Sequence, residues 1–278
     1  MKFQAVLASV LGVAILGIAA TASAQTEQNG FATVVRVQGL ASYSLGDGQT
    51  HPLLAGKTLP AGATIYTGDN GVVDVVLGKQ IDFPQSHGLP DRISPAADAP
   101  VRGLVSSQPA SEQNVVRLSS GTTLSIDRLT TTDTYADTVS DTELNLKKGK
   151  IFASVKKLSP VSQYLVKIPN GVAGVRGTKF SIGADGGVAV YSSNQNEPQQ
   201  GLVFSMSINN VTQTFVIAPG QMFDPATGQP VSVPPGLFTL LSNTFKALTS
   251  TYFIIGNFDL KFNNCNDNFT SPTSGSHH

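Results

Sequence analysis

The sequence predicts an all-β chain, an antiparallel sandwich or β-roll of many short strands with one C-terminal amphipathic helix. Three observations carry this. Short runs rich in β-branched residues recur along the chain and are closed by Gly, Asn or Asp. Several alternate with period two, as at 122–126, where Leu124 and Ile126 share one face while Thr123 and Ser125 share the other. A helical period occurs at one place, near the end.

The elements follow in order. Lys2 precedes an apolar run from Ala5 to Ala20, and Thr21-Ala22-Ser23-Ala24 then places small residues before Gln25. Charged start, short apolar stretch and small-residue ending predict a secretory signal over 1–24, cut between Ala24 and Gln25. No later apolar run reaches the length of a membrane helix, so no span is expected after cleavage. Strands are predicted at 31–38, 63–67 and 72–77, with Gly68-Asp69-Asn70-Gly71 as the turn between the last two. From 79 to 114 the pattern stops. Five of the 16 prolines fall there beside Ser, Ala, Asp and Gln, so a flexible insert is expected. His87 within it has no metal-spaced companions and reads as solvated.

Strands resume at 115–118, 122–126, 143–147, 150–155, 164–168, 178–182, 188–191, 202–208 and 212–217. The main β domain is therefore 25–220. A C-terminal extension, 221–278, follows. Leu237, Leu240, Leu241, Phe245 and Leu248 recur at helical spacing within 236–250, after Pro234-Pro235, and predict a helix packed on the sheet. A hairpin of 252–255 with 258–262 and a polar tail complete the chain. Cys265, the single cysteine, has no intramolecular partner and reads as an unpaired thiol, and His277-His278 at a free end make a poor metal site.

Composition limits function. Charged residues are 13% of the chain, against roughly 25% in an average domain, and 18 basic groups balance 18 acidic ones. Attachment to nucleic acid needs clustered Lys and Arg, which are absent from the sequence. Four His, one Cys and no Trp leave little for metal cages or nucleophile-base pairs. Neither a cofactor nor a metal is expected. Carboxylates gather at one place, Asp133, Asp137, Asp141 and Glu143. Calcium binding or glycoside hydrolysis would need such groups, but the Thr-rich setting opposes a helix and the spacing is not that of a calcium loop, so a solvated loop is expected over 130–143.

One segment carries a resemblance. Val166-Lys-Ile-Pro169-Asn-Gly-Val-Ala173-Gly-Val-Arg176-Gly177-Thr178-Lys-Phe180-Ser-Ile182 resembles the most recognisable stretch of FecR-type domains. Leu59-Pro-Ala-Gly62-Ala-Thr-Ile65-Tyr-Thr67-Gly68 and Leu146-Lys-Lys-Gly149-Lys-Ile151-Phe resemble two further elements of that family, in the same order. The likeness runs over about 30–220. Gly174, Arg176, Gly177, Thr178 and Phe180 are its motif residues here, and their reading is architectural: Gly177 as a bulge or turn with positive φ, Arg176 donating to backbone carbonyls or a carboxylate, Phe180 and Ile182 sharing a face. The alternative for Arg176 is a grip on an anionic ligand.

The resemblance implies an envelope regulator, since its best-known members sense a loaded outer-membrane transporter and control a sigma factor. Neither a cytoplasmic anti-sigma region nor an internal spanning helix is read here, so the sigma-control half is not carried over. The expectation is a non-enzymatic, exported module of the periplasm or cell exterior that binds a protein or a cell-surface polymer. A self-associating structural or matrix protein, joined through strand edges, is the alternative. A secreted hydrolase using the four acids comes third.

Overall fold

Val72–Gly78 carries apolar side chains at successive positions rather than alternate ones, and a strand of that kind needs cover on both faces. The molecule supplies it. The computed structural model describes residues 27–78, 102–107, 114–134, 137–192, 201–208, 210–248 and 252–257, with 102–107 and 252–257 described by their backbone alone. Two large sheets stack face to face, and a helix lies on the outer face of the second.

The first sheet has 10 strands. From one edge they run Val211–Ile217, Leu202–Ile208, Gly171–Gly174, Gln163–Ile168, Thr138–Lys148, Thr123–Asp133, Thr64–Thr67, Ala41–Ser44 and His51–Pro52, with Glu27–Asn29 also paired to Thr123–Asp133. The 9-stranded second sheet runs Gln229–Ser232, Gln221–Asp224, Val188–Tyr191, Lys179–Gly183, Lys150–Ser154, Asn114–Leu118, Val72–Gly78, Phe31–Gln38 and Thr58–Pro60. Among these pairs only Thr138–Lys148 with Gln163–Ile168 is parallel. The predicted all-β class thus holds, with its one C-terminal helix.

Leu124, Ile126, Leu144, Leu146 and Phe204 of the first sheet meet Val34, Val75, Leu118, Phe180 and Ile182 of the second in one buried core. On the other side of the second sheet, Val35, Val76, Val115, Phe152, Ala189 and Tyr191 form a smaller core with Leu241, Phe245 and Leu248 of the helix Pro235–Leu248. The Phe245 ring lies 5.3 Å from that of Tyr191 and 6.3 Å from that of Phe152, and the Tyr191 hydroxyl donates to Ser242 Oγ at 3.1 Å. The helix packs on the sheet as its period predicts. Leu240 is the exception at 53% exposed, because Leu241, Phe245 and Leu248 already fill the contact stripe.

A charged row crosses this same outer face. Arg36, Asp74 and Arg117 are register partners on three adjacent strands. Asp74 is fully buried. Arg117 donates Nε and Nη2 to its two carboxylate oxygens at 2.7 and 2.8 Å, and Arg36 Nε lies 3.5 Å from Oδ2.

Four expectations change. Residues 130–143 are not a loop but most of a long hairpin, Thr123–Asp133 with Thr138–Lys148. Thr favours the pleated surface as strongly as it opposes a helix, and Ser140, Thr142, Leu144 and Leu146 alternate inward. A bulge after Ile126 shifts the inward set from Leu124 and Ile126 to Leu129 and Thr131. Gly68–Gly71 is not a hairpin turn either, since the strands that it joins lie in different sheets. Within 79–114, Arg102–Ser107 is a strand, and it pairs with Tyr252–Asn257. The other arm of the hairpin expected there, 258–262, lies outside the described residues. Beyond Gly220, Gln221–Asp224 and Gln229–Ser232 continue the second sheet. The signal segment with Ala24 and Gln25, and His87, Cys265, His277 and His278, also lie outside the described residues.

Tyr164 gives a test of the core. It is buried, and its hydroxyl has no hydrogen-bond partner among the described residues. Burial pushes its phenol far above the ordinary value. The folded phenol therefore stays protonated where the unfolded one ionises, so stability is complete below about pH 10 and falls as the pH rises past it. Tyr164→Phe removes both the unpaired hydroxyl and this ionisation. Thermal melts are expected to show it at least as stable as the wild type at pH 7 and less sensitive above about pH 10. A large loss at pH 7 would show that the hydroxyl has a partner.

Candidate functional site at the Val166–Ile182 corner

Gly171–Gly174 belongs to the first sheet and Lys179–Gly183 to the second, so Val175–Thr178 is a crossing between them. Both ends of the crossing are tied. Val175 N–H donates to the Tyr164 carbonyl at 2.9 Å, and Val155 N–H donates to the Thr178 carbonyl at 3.0 Å. Gly177 has φ +64°, and a Cβ there would stand 3.1 Å from Lys157 Cα, so backbone conformation and close approach both call for glycine. Thr178 is buried, with Oγ1 donating to the Arg176 carbonyl at 3.1 Å. Phe180 and Ile182 enter the inter-sheet core beside Ala173.

A second crossing uses Gly149, which takes the chain from Thr138–Lys148 in the first sheet to Lys150–Ser154 in the second. Its φ is +83°, and a Cβ would stand 2.6 Å from Thr122 Cα. The glycines of both motif elements therefore sit where the chain changes sheet.

Arg176 is half-buried, and among the described residues its Nε is buried without a hydrogen-bond partner. It lines a groove of about 320 Å3 together with Ser162, Gln163, Leu165, Gly174 and Val203. Another groove, of about 470 Å3, lies near the opposite end of the first sheet against Ser42, His51 and Tyr66. His51 Nε2 there lies 3.6 Å from Asp47 Oδ2.

The four acids are structurally engaged. Asp141 accepts from Arg128 Nη1 at 2.7 Å, and Glu143 pairs with Lys167. The Glu143 carboxylate beside it holds the Lys167 ammonium above its ordinary value. Asp133 accepts from Thr138 Oγ1 at 2.9 Å, and Asp137 accepts from Thr138 N–H at 2.8 Å. Asp141 and Glu143 thus hold strands together, while Asp133 and Asp137 shape the turn. Among the described residues there is no group of three His, Cys, Asp or Glu placed to hold a metal ion.

Residues 105–195 match the family model described as FecR protein. The FecR resemblance is shown for this stretch. It contains both glycine crossings, Arg176 and Phe180, while the similar element at 59–68 lies before it. Two crystal structures of a candidate anti-sigma factor from Parabacteroides distasonis ATCC 8503, at 1.65 and 2.50 Å resolution, are similar at 13% and 14% identity. Both have a TM-score of 0.29, too low to transfer topology or role. The alignments cover 55% and 47% of this chain, which spans about 60% of their length. No curated protein matches.

Proposed function

We propose that this chain is an exported, non-catalytic binding or sensing module of the cell envelope. The FecR match over 105–195 carries the reading. Two further facts support it: the acids that hydrolysis would require are occupied by ion pairs and a turn, and among the described residues no helix is long and apolar enough to cross a membrane. The partner is a protein or a surface polymer, held by shape more than by charge.

A second reading rests on the edge strand Val211–Ile217. From 202 to 217 the sequence has no charged residue and no proline, and Val211 and Val216 lie exposed. Edges of that kind pair readily with further copies. One experiment separates the readings. The chain is expressed with a photoreactive residue at Val203, cross-linked in intact cells, fractionated and sequenced from its N-terminus. The module reading expects a periplasmic or external chain beginning at Gln25 and joined to one discrete partner. Adducts made only of this chain favour self-association. Retention inside the cell with residues 1–24 intact overturns export.

A further inference from the structure

Arg176 bears a charge that no described residue neutralises through an ion pair. A guanidinium keeps its proton in proteins, so a buried Nε without an acceptor costs the desolvation of that donor. Other arginines show the contrast, since Arg36 and Arg117 share Asp74 and Arg128 holds Asp141. No ion pair among the described residues includes Arg176.

The surface beside it is apolar and notched. Leu165, Gly174, Val203 and Val216 are register partners on four adjacent strands of the first sheet. Gly174 leaves a gap in this row, where a Cβ would find Leu165 Cδ2 and the Val203 carbonyl no nearer than 3.9 Å. Val203 and Val216 are 46% and 66% exposed. A groove of about 320 Å3 thus has an aliphatic wall and one cation whose Nε lacks an acceptor among the described residues.

A carboxylate complements this arrangement, because two oxygens match the planar fork of a guanidinium and form charge-assisted bonds. The notch beside it has room for an aliphatic side chain. With one arginine lining it, the groove fits a single carboxylate on an apolar body better than a polyanion. We propose that it binds a partner-protein segment in which an acidic residue stands between aliphatic ones, the carboxylate on Arg176 and a neighbouring side chain over Gly174. This deepens, and rests on, the reading of the chain as a binding module.

The test titrates acetyl-Leu-Glu-Leu-amide and acetyl-Leu-Gln-Leu-amide into the folded, 15N-labelled chain. Saturable shifts are expected at the Arg176 Nε–H and the Gly174 N–H, with the glutamate peptide bound about tenfold more tightly, as loss of one charge-assisted bond implies. Arg176→Gln is expected to erase that preference. Gly174→Val keeps the arginine but fills the notch, and is expected to weaken both peptides. Equal binding of the two peptides, or binding of neither, overturns the site. So does inorganic phosphate that shifts Arg176 as strongly as the glutamate peptide does. The peptide comparison on the wild-type chain stands even if a variant fails to fold. Should the peptides fail while the cellular cross-link still yields a discrete partner, this site falls and the module reading survives.

Discussion

Asp74→Ala is expected to cost about 3–5 kcal/mol of folding stability, the effect of removing one partner from a buried ion pair. The carboxylate is fully buried, and it receives Arg117 through two bonds and Arg36 at 3.5 Å. Its loss leaves two guanidinium groups on neighbouring strands with no acid between them. A native domain has only about 5–15 kcal/mol in hand, so urea unfolding of this variant should show a large drop in midpoint. Asp74→Asn keeps the shape and loses the charge, and is expected to fall between the two. A loss below about 1 kcal/mol would place the cluster with exposed pairs, which contribute little.

Phe180→Ala is expected to be as damaging, at about 3–5 kcal/mol, through lost burial and the cavity left behind. Phe180 is fully buried between the sheets, at the second position of the strand that follows the Val175–Thr178 crossing. Phe180→Leu, which refills most of the volume, should recover a good part of the loss. Arg176→Gln, four residues away, should cost little stability, because the side chain it removes has an unsatisfied donor. If calorimetry showed Arg176→Gln as harmful as Phe180→Ala, the arginine would be an architectural residue and the groove a by-product.

Sequence patterns disclose what is local. Phe31–Gln38 and Val72–Gly78 were legible because β-branched runs bounded by turn residues need no knowledge of their neighbours. Ala41–Ser44, His51–Pro52 and Gln221–Asp224 were not, because strands this short are set by the edge they join rather than by their own composition. Arg102–Ser107 is hidden by the Pro- and Ser-rich stretch around it, and its partner Tyr252–Asn257 is remote in sequence. The Thr-rich acidic run misled in a different way, since evidence against a helix was also evidence for a strand. Gly177 was readable from its place between two apolar runs. The Asp74 cluster left a faint signal, a charged residue inside each of Thr33-Val-Val-Arg36, Val73-Asp-Val75 and Val116-Arg-Leu118. Only the register that aligns those charges reveals them as one group. That Arg176 Nε lacks an acceptor among the described residues is likewise a fact of three dimensions.

Both sheets list their strands in nearly the reverse of chain order, with departures at the His51–Pro52 and Thr58–Pro60 edge and at Glu27–Asn29, which pairs with Thr123–Asp133. A sandwich wound in this way can grow by accretion, each newly made strand adding to an edge laid down shortly before, as in stacked-repeat folds. The helix breaks that sequence. It follows the last strand of the second sheet, yet it closes a core that also holds Val35 and Val76 of two of the earliest strands. Assembly that proceeds from the N-terminal end is therefore completed by an element that returns to where it started, and the outer face of the second sheet waits uncovered until the chain is nearly whole.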